Sequence, residues 1–148
     1  ESIYDKASFE KERERLIEYE FITKTEGELT DADKIIEFLT SDTMQSLLKS
    51  GSYFKEKRFM FTVSADELGI ENCNEKIIVQ GVLDCYFLTP DGAVIVDYKT
   101  DRVTTESELT DRYAVQLDMY EKALLTTENI KTDKKLIYSF ALSKFITL

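Results

Sequence analysis

Histidine is absent from all 148 residues. That absence removes Ser-His-Asp and Cys-His catalysis, His-containing zinc sites and an imidazole pH switch, so any chemistry falls to carboxylates, Lys, Tyr or a bound metal. Cysteine is scarce. Cys73 and Cys85 stand twelve positions apart with no C-x-x-C pair, too few for a structural zinc or an iron-sulfur cluster, and a reduced cytosolic pair is expected. No apolar run approaches the ~20 residues that span a bilayer, and Glu1-Ser2-Ile3 lacks the basic start and apolar stretch of a signal peptide. A cytoplasmic protein is expected. Positive charge is also short: 19 Lys and Arg against 29 Asp and Glu leave a formal charge of -10. This speaks against a free-standing domain that grips nucleic acid by bulk electrostatics, though not against a local cation-dependent site. What is present is core material, with 43% apolar residues, eight Tyr and nine Phe. One domain that buries roughly 70% of its unfolded surface fits this length, and disorder is excluded.

Along the chain, only one proline interrupts the pattern, and there are no internal repeats or low-complexity tracts. Residues 2 to about 22 read as a charged, solvent-exposed helix with a thin apolar face. The chain opens without Met and runs straight into this pattern, as a C-terminal piece of a longer protein would. Thr30 can cap a helix over 31–40 with Ile35, Ile36 and Leu39 inward, and a further helix over 42–48 ends at Gly51. From Tyr53 to Val63 the alternation Phe59, Phe61, Val63 predicts the first strand, and 64–76 reads as a polar connection. The densest β signal follows. Ile77 to Leu88 and Ala93 to Lys99 flank Thr89-Pro90-Asp91-Gly92, where Pro presets φ and Gly accepts positive φ, so the flanks form a hairpin. Thr105-x-x-Glu108 has the form of a capping box, and Leu109, Tyr113, Leu117, Tyr120 and Leu124 recur at helical spacing, which predicts a helix over 106–126. Residues 135–142 and 145–148 add one or two edge strands.

The hairpin has a chemical consequence. With two central turn residues, facing positions sum to 181, and Asp84 and Asp97 obey that sum. Opposed side chains of an antiparallel pair have Cβ atoms roughly 4.5–5.5 Å apart. Two carboxylates so placed repel and raise one pKa, so they call for a compensating partner, of which a divalent cation is the simplest. Lys99, two residues beyond Asp97, shares its face and can stabilise an oxyanion or orient a water. Two acids and one Lys suit metal-assisted hydrolysis. The register is the sensitive point, because a bulge at Gly92 shifts the sum to 182 and sends the two acids to opposite faces.

Gly81-Val82-Leu83-Asp84, a turn, Asp97-Tyr98-Lys99-Thr100-Asp101 and then Gln116-x-x-x-Tyr120 resemble the motifs of RecB-like nucleases in the PD-(D/E)XK superfamily, with coverage from about Ile35 onward. The longer wording, Gln80 to Cys85 and Asp97 to Arg102, is most similar to the nuclease domains of AddA chains in AddAB-type helicase-nucleases. The resemblance implies a restriction-endonuclease-like core in which Asp84, Asp97 and the Tyr98 carbonyl hold Mg2+ or Mn2+. It implies that Lys99 assists the attacking water, and that Gln116 and Tyr120 lie at the site periphery and help position DNA. Four residues apart on a helix, Gln116 and Tyr120 share a side, although Tyr120 also fits a plain core stripe and Gly81 a simple close approach. The family usually carries a further metal-site residue, often His, on a helix before the first strand; this chain has no His, and the expectation is that it starts after that helix. Glu10, Glu14, Glu18, Glu20 and Glu56 are the stand-ins to consider. No G-x-x-x-x-G-K-[ST] occurs, so an ATP motor would lie upstream, and the absent four-Cys pattern sets the chain apart from iron-sulfur relatives. Basic groups at Lys55, Lys57 and Arg58, at Lys131, Lys134 and Lys135, and at Arg102 and Arg112 are candidates for phosphate contact.

The resulting expectation is an α/β fold: a central mixed β-sheet of four or five strands flanked by helices, with the 106–126 helix on one face and the N-terminal helices on the other. Residues 1–50 form the helical part and 52–148 the sheet core of a single nuclease domain. The implied function is metal-dependent DNA hydrolysis, exonuclease in type, within a helicase-nuclease that repairs and recombines double-strand breaks beside an AddB-like partner. The rivals are an inactive nuclease fold that binds DNA or the partner, and another enzyme of the superfamily, such as a Holliday-junction resolvase or a restriction-type endonuclease.

Overall fold

The structure is a computed structural model that describes residues 3–71 and 75–148; Cys73, within the 64–76 connection, lies outside the described residues. The chain divides into two compact units, Glu1–Lys49 and Ser50–Leu148.

The N-terminal unit is helical. α1 (Lys6–Glu18) starts at Asp5, whose carboxylate accepts from Ser8 N–H at 2.8 Å in a reciprocal cap, and it is tied to the third helix by a Lys6–Asp33 ion pair of 2.9 Å. The predicted single helix over 2–22 is shorter than expected because a second helix, α2 (Lys24–Leu29), follows it. Thr23 and Glu26 cap each other's backbone there, a T-x-x-E signature that the Gly27 behind it masks. Gly27 is needed for packing, since a Cβ would lie 2.9 Å from Ile17 Cδ1. α3 (Ala32–Thr40) and α4 (Asp42–Lys49) fall where the periodicity places them. The cap of α3, however, is Asp31, whose carboxylate accepts from Lys34 N–H at 3.2 Å, and not Thr30, which ends α2. Phe38, Met44 and Leu47 are buried, and Ile35, Ile36 and Leu39 only half-buried.

The C-terminal unit is a five-stranded mixed sheet in the order β1 (Tyr53–Ser64), β2 (Lys76–Thr89), β3 (Gly92–Lys99), β4 (Thr132–Ser139), β5 (Lys144–Thr147), with α5 (Glu106–Glu128) packed on it. The fold is α/β, as expected. All neighbours are antiparallel except β3 and β4, which run parallel. A parallel pair requires a crossover, and α5 supplies it. β3 is central, and Ala93, Val94, Ile95 and Val96 form an unbroken buried run rather than an alternating one. Leu109, Leu117, Tyr120 and Leu124 of α5 close over Leu83, Tyr86 and Ile95. Each such side chain contributes about 1.5–3 kcal/mol when fully buried. The helix begins where Glu108 accepts from Thr105 N–H at 3.1 Å. It ends at Asn129, which turns left-handed at φ 57°, a conformation Asn tolerates well.

The hairpin register is the two-residue one: Thr89 pairs with Gly92, and the ladder climbs through Cys85 opposite Val96. Thr89 Oγ1 accepts from Asp91 N–H at 3.3 Å and donates to Gly92 O at 2.8 Å, which locks the turn without a bulge. Gly92 has φ 137°, and a Cβ there would lie 2.7 Å from the Lys131 carbonyl, whereas Gly69 at φ 75° has nothing within 4 Å. Two backbones therefore meet at Gly92, and no side chain fits between them.

Substituting Gly92→Ala adds a backbone collision to an unfavourable φ and lowers stability by about 3 kcal/mol, whereas Gly69→Ala carries the conformational cost alone, about 1 kcal/mol. Urea denaturation of the two variants side by side checks this; equal midpoints would remove the close approach as a constraint.

Candidate active site

Asp97 is the one charged residue in the buried run of β3, and it is fully buried. Neither of its carboxylate oxygens receives a hydrogen bond. An ionised carboxylate buried this deeply is costly, so its surroundings must compensate or it must take a proton. Burial pushes the Asp97 carboxyl above its ordinary pKa, Lys99 pulls it back, and the charge of Asp84 pushes it up again.

The compensation comes from Lys99, two residues along on the same face. Its Nζ lies 2.6 Å from Asp97 Oδ2, an ion pair by distance whose approach is not that of a directed hydrogen bond. The ammonium donates instead to Gln116 Oε1 at 3.1 Å. With that oxygen taken, the Gln116 amide nitrogen is turned to Tyr120, donating to its hydroxyl at 2.6 Å. A phenol oxygen that accepts in this way keeps its own O–H to give onward. Burial first, then the charges of Asp97 and Asp84, push the Tyr120 hydroxyl up to about 12, so it stays protonated at neutral pH. Tyr120 is at once a core residue, 5% exposed with its ring edge-on to Phe59, and the end of this relay.

Asp84 lies where the sheet forks. The β2–β3 ladder stops one step before Asp84 would face Asp97. On the other side, the Glu56/Asp84 step is missing from the β1–β2 ladder, with Glu56 at φ 50°. Released from regular pairing, the Asp84 carboxylate accepts from the Tyr98 backbone N–H at 3.1 Å, a side chain standing in for the next rung of the ladder. This bond ties the two acid-bearing strands together at the fork. Gly81, three residues before, leaves room for the Phe59 ring, whose Cζ would lie 2.7 Å from a Cβ at that position.

The structure thus gathers Asp84, Asp97, Lys99, Gln116 and Tyr120 on one sheet face beneath α5. Tyr98 joins through its backbone. Two neighbours go beyond the predicted site residues. Tyr113 sets its ring 4.1 Å beneath the Lys99 ammonium, and Asp101 accepts from the Tyr113 hydroxyl at 2.9 and 3.0 Å. The signal for Tyr113 is its i, i+3 spacing from Gln116, which within a helical stripe looks the same as core periodicity. Among the described residues no third acid, Cys or His joins Asp84 and Asp97. Glu56 is exposed and does not complete a triad, and Glu10, Glu14, Glu18 and Glu20 belong to the N-terminal unit. Several basic candidates are already paired: Lys57 with Glu128 at 2.8 Å, Lys135 with Asp118 and Glu121 at 2.6 and 2.9 Å, and Arg112 with Asp101 at 2.5 Å. Cys85 is free and buried. No helix among the described residues is long and apolar enough to cross a membrane.

The chain as a whole is similar to known proteins. The sequence profile of the PD-(D/E)XK nuclease superfamily matches residues 3–145. The chain is similar to proteins named as the A-type chain of an ATP-dependent helicase/nuclease: 38% identity over 141 residues in Clostridium botulinum strain Okra, covering 90% of this chain and 11% of that protein. In strain 657 the identity is 32% over 149 residues, 97% and 12%, and in strain Alaska E43 it is 34% over 142 residues, 90% and 11%. The chain therefore spans about a tenth of the length of these relatives. A solved structure, that of SSO0001, overlays with a TM-score of 0.46 at 15% identity, over 93% of this chain and 60% of the other.

In metal-free buffer, Lys99→Ala strands the buried Asp97 carboxylate and costs about 3 kcal/mol, whereas Asp97→Asn costs less, because the less buried Lys99 ammonium keeps Gln116 and the Tyr113 ring. A carboxyl whose folded pKa lies above its unfolded one binds its proton more readily in the folded state. Its stabilising contribution is therefore complete at low pH and lost as pH rises through the folded pKa. The Lys99→Ala deficit accordingly shrinks on acidification. Urea midpoints across a pH series in EDTA check this, and a pH-independent deficit would mean that Asp97 is not the group responsible.

Proposed function

The chain belongs to the PD-(D/E)XK nuclease superfamily, and we propose that it hydrolyses DNA phosphodiester bonds with a divalent cation as the nuclease domain of a helicase-nuclease. The observation that carries the reading is Asp97: a fully buried carboxylate whose Oδ1 has no partner and whose Oδ2 has only the Lys99 ammonium at 2.6 Å, beside a second acid, is poorly explained by stability and well suited to a cation. The donor set fits Mg2+ or Mn2+, which prefer oxygen ligands and keep several waters of their own. Asp84, Asp97 and the Tyr98 carbonyl would hold it. Such a cation, when bound, neutralises phosphate charge and acidifies a coordinated water.

The remaining work falls to this chain's own side chains. Lys99, fixed between Asp97 and Gln116, presents its ammonium where negative charge develops on the phosphate or orients the attacking water. Gln116 fixes the orientation of Lys99 and of Tyr120 together. Tyr120 keeps its proton and offers a hydrogen bond to the substrate side. A DNA strand delivered by an ATP-driven motor elsewhere in the full-length protein accords with the acidic net charge of this domain and with its helicase/nuclease relatives. By the same reading the protein acts as an exonuclease in the cytoplasm, in repair and recombination of double-strand breaks, beside an AddB-like partner. The alternative, an inactive nuclease fold that binds DNA or that partner, is favoured by one observation: no third metal-ligating group joins the two acids among the described residues.

Calorimetry with Mn2+ and Mg2+ on this chain and on Asp97→Ala, alongside cleavage of linear single-stranded DNA, tests the reading. Binding is expected to vanish in Asp97→Ala, and cleavage to fall about a hundredfold or more in both Asp97→Ala and Lys99→Ala. Binding without cleavage would mean that a ligand outside these residues completes the site. Absence of binding would leave the scaffold reading in place.

A further inference from the structure

The Lys99 ammonium has neighbours on three sides: the Asp97 carboxylate at 2.6 Å, the Gln116 amide oxygen at 3.1 Å and the face of the Tyr113 ring, with its centroid at 4.1 Å. The first two attract a cation by charge and hydrogen bond, the third through the negative face of the π system. A ring does this only if its plane is held. Tyr113 sits one turn before Gln116 on α5, where side chains three apart lie on one side. Its hydroxyl donates to the Asp101 carboxylate, within reach of both oxygens, at 2.9 and 3.0 Å. Asp101 is in turn held by Arg112, whose guanidinium donates to Oδ1 at 2.5 Å. The Tyr113 hydrogen bond, then Arg112, keep the Asp101 carboxyl below its ordinary pKa, so it remains a charged acceptor through neutral pH.

We propose that Tyr113 is a positioning residue for Lys99, with Asp101 and Arg112 as the latch that sets its ring. This rests on the nuclease reading for its catalytic consequence, though not for its geometry. The reasoning is one of freedom. A lysine carries four rotatable side-chain bonds, and a buried carboxylate alone leaves its ammonium a cone of approaches. A carboxylate on one side and a ring on another leave one. The latch also explains why an Asp stands two residues past the lysine: the hydrogen bonds of the Asp101 carboxylate go to Tyr113 and Arg112 and not to Lys99.

Two readouts on the full chain separate the possibilities. In the first, NMR of the metal-free protein, an ammonium seated over a ring has its Lys99 Cε protons shifted upfield by the ring current. The shift is expected in the wild type, to be reduced in Tyr113→Phe and in Asp101→Ala, which both release the ring from its latch, and to be lost in Tyr113→Leu. The second is kcat and KM on single-stranded DNA. With Tyr113→Leu, kcat is expected to fall about tenfold with KM little changed, and Tyr113→Phe, which keeps the ring and loses the latch, to fall between this and the wild type. The proposal is overturned if the wild type shows no upfield shift, or if kcat holds in Tyr113→Leu while the shift is lost. A wild type that shows the shift and no turnover supports the positioning geometry and counts against the nuclease reading alone.

Discussion

The C-terminal unit is organised around one costly placement, a carboxylate that ends the buried run of its central strand. β3 is apolar and buried from Ala93 to Val96, and a bare charge at the next position would cost more than a domain's ordinary margin of stability can absorb. The arrangement of the site follows from answering that charge. Lys99 has to lie two residues on, to share its face. The helix above has to present a polar side chain at Gln116 rather than a hydrophobic one, or the ammonium would lose its acceptor. The β2 strand has to separate from β3 at this level, because regular pairing would bring a second acid flush against the first with nothing between them.

The fork resolves a conflict between two demands on the same hairpin. Near the turn, both strands are apolar and the ladder is regular. At the acids, electrostatic repulsion opposes the same regularity. The chain gives way where repulsion begins, and Asp84 recovers part of the lost pairing through its side chain by accepting from Tyr98 N–H. A carboxylate engaged in this way is oriented before any ligand arrives, which lowers the entropic cost of binding one.

Much of this is legible in the residues themselves. The alternating and continuous apolar runs mark the strands, the Pro-Asp turn sets the register, and the register puts the two acids at one level. The D-Y-K spacing places Lys99 by the simple alternation of a strand. What escapes a reading of the sequence has identifiable causes. α2 is hidden by Gly27, which reads as a breaker until the Ile17 side chain it accommodates is seen. Tyr113 passes for core because a helical stripe of large residues does not reveal which members end against a cation. The release of Asp84 from regular pairing depends on Glu56 taking a left-handed φ, an event on a neighbouring strand that no pattern within β2 encodes. The basic clusters look like phosphate contacts as long as the acids that pair with them lie far away in sequence, as Glu128 does from Lys57.

The crossover through α5 has a kinetic side. Asp84 and Tyr98 are separated by 14 positions, and Lys99 and Gln116 by 17, so the polar contacts of the site close loops of modest length. Loop closure entropy grows slowly over such spans, and contacts of low sequence separation form early and fast. The groups are gathered by a hairpin and the helix that follows it, whatever the length of polypeptide around them. The chemistry is thus laid out along one contiguous stretch of chain, from Asp84 to Tyr120.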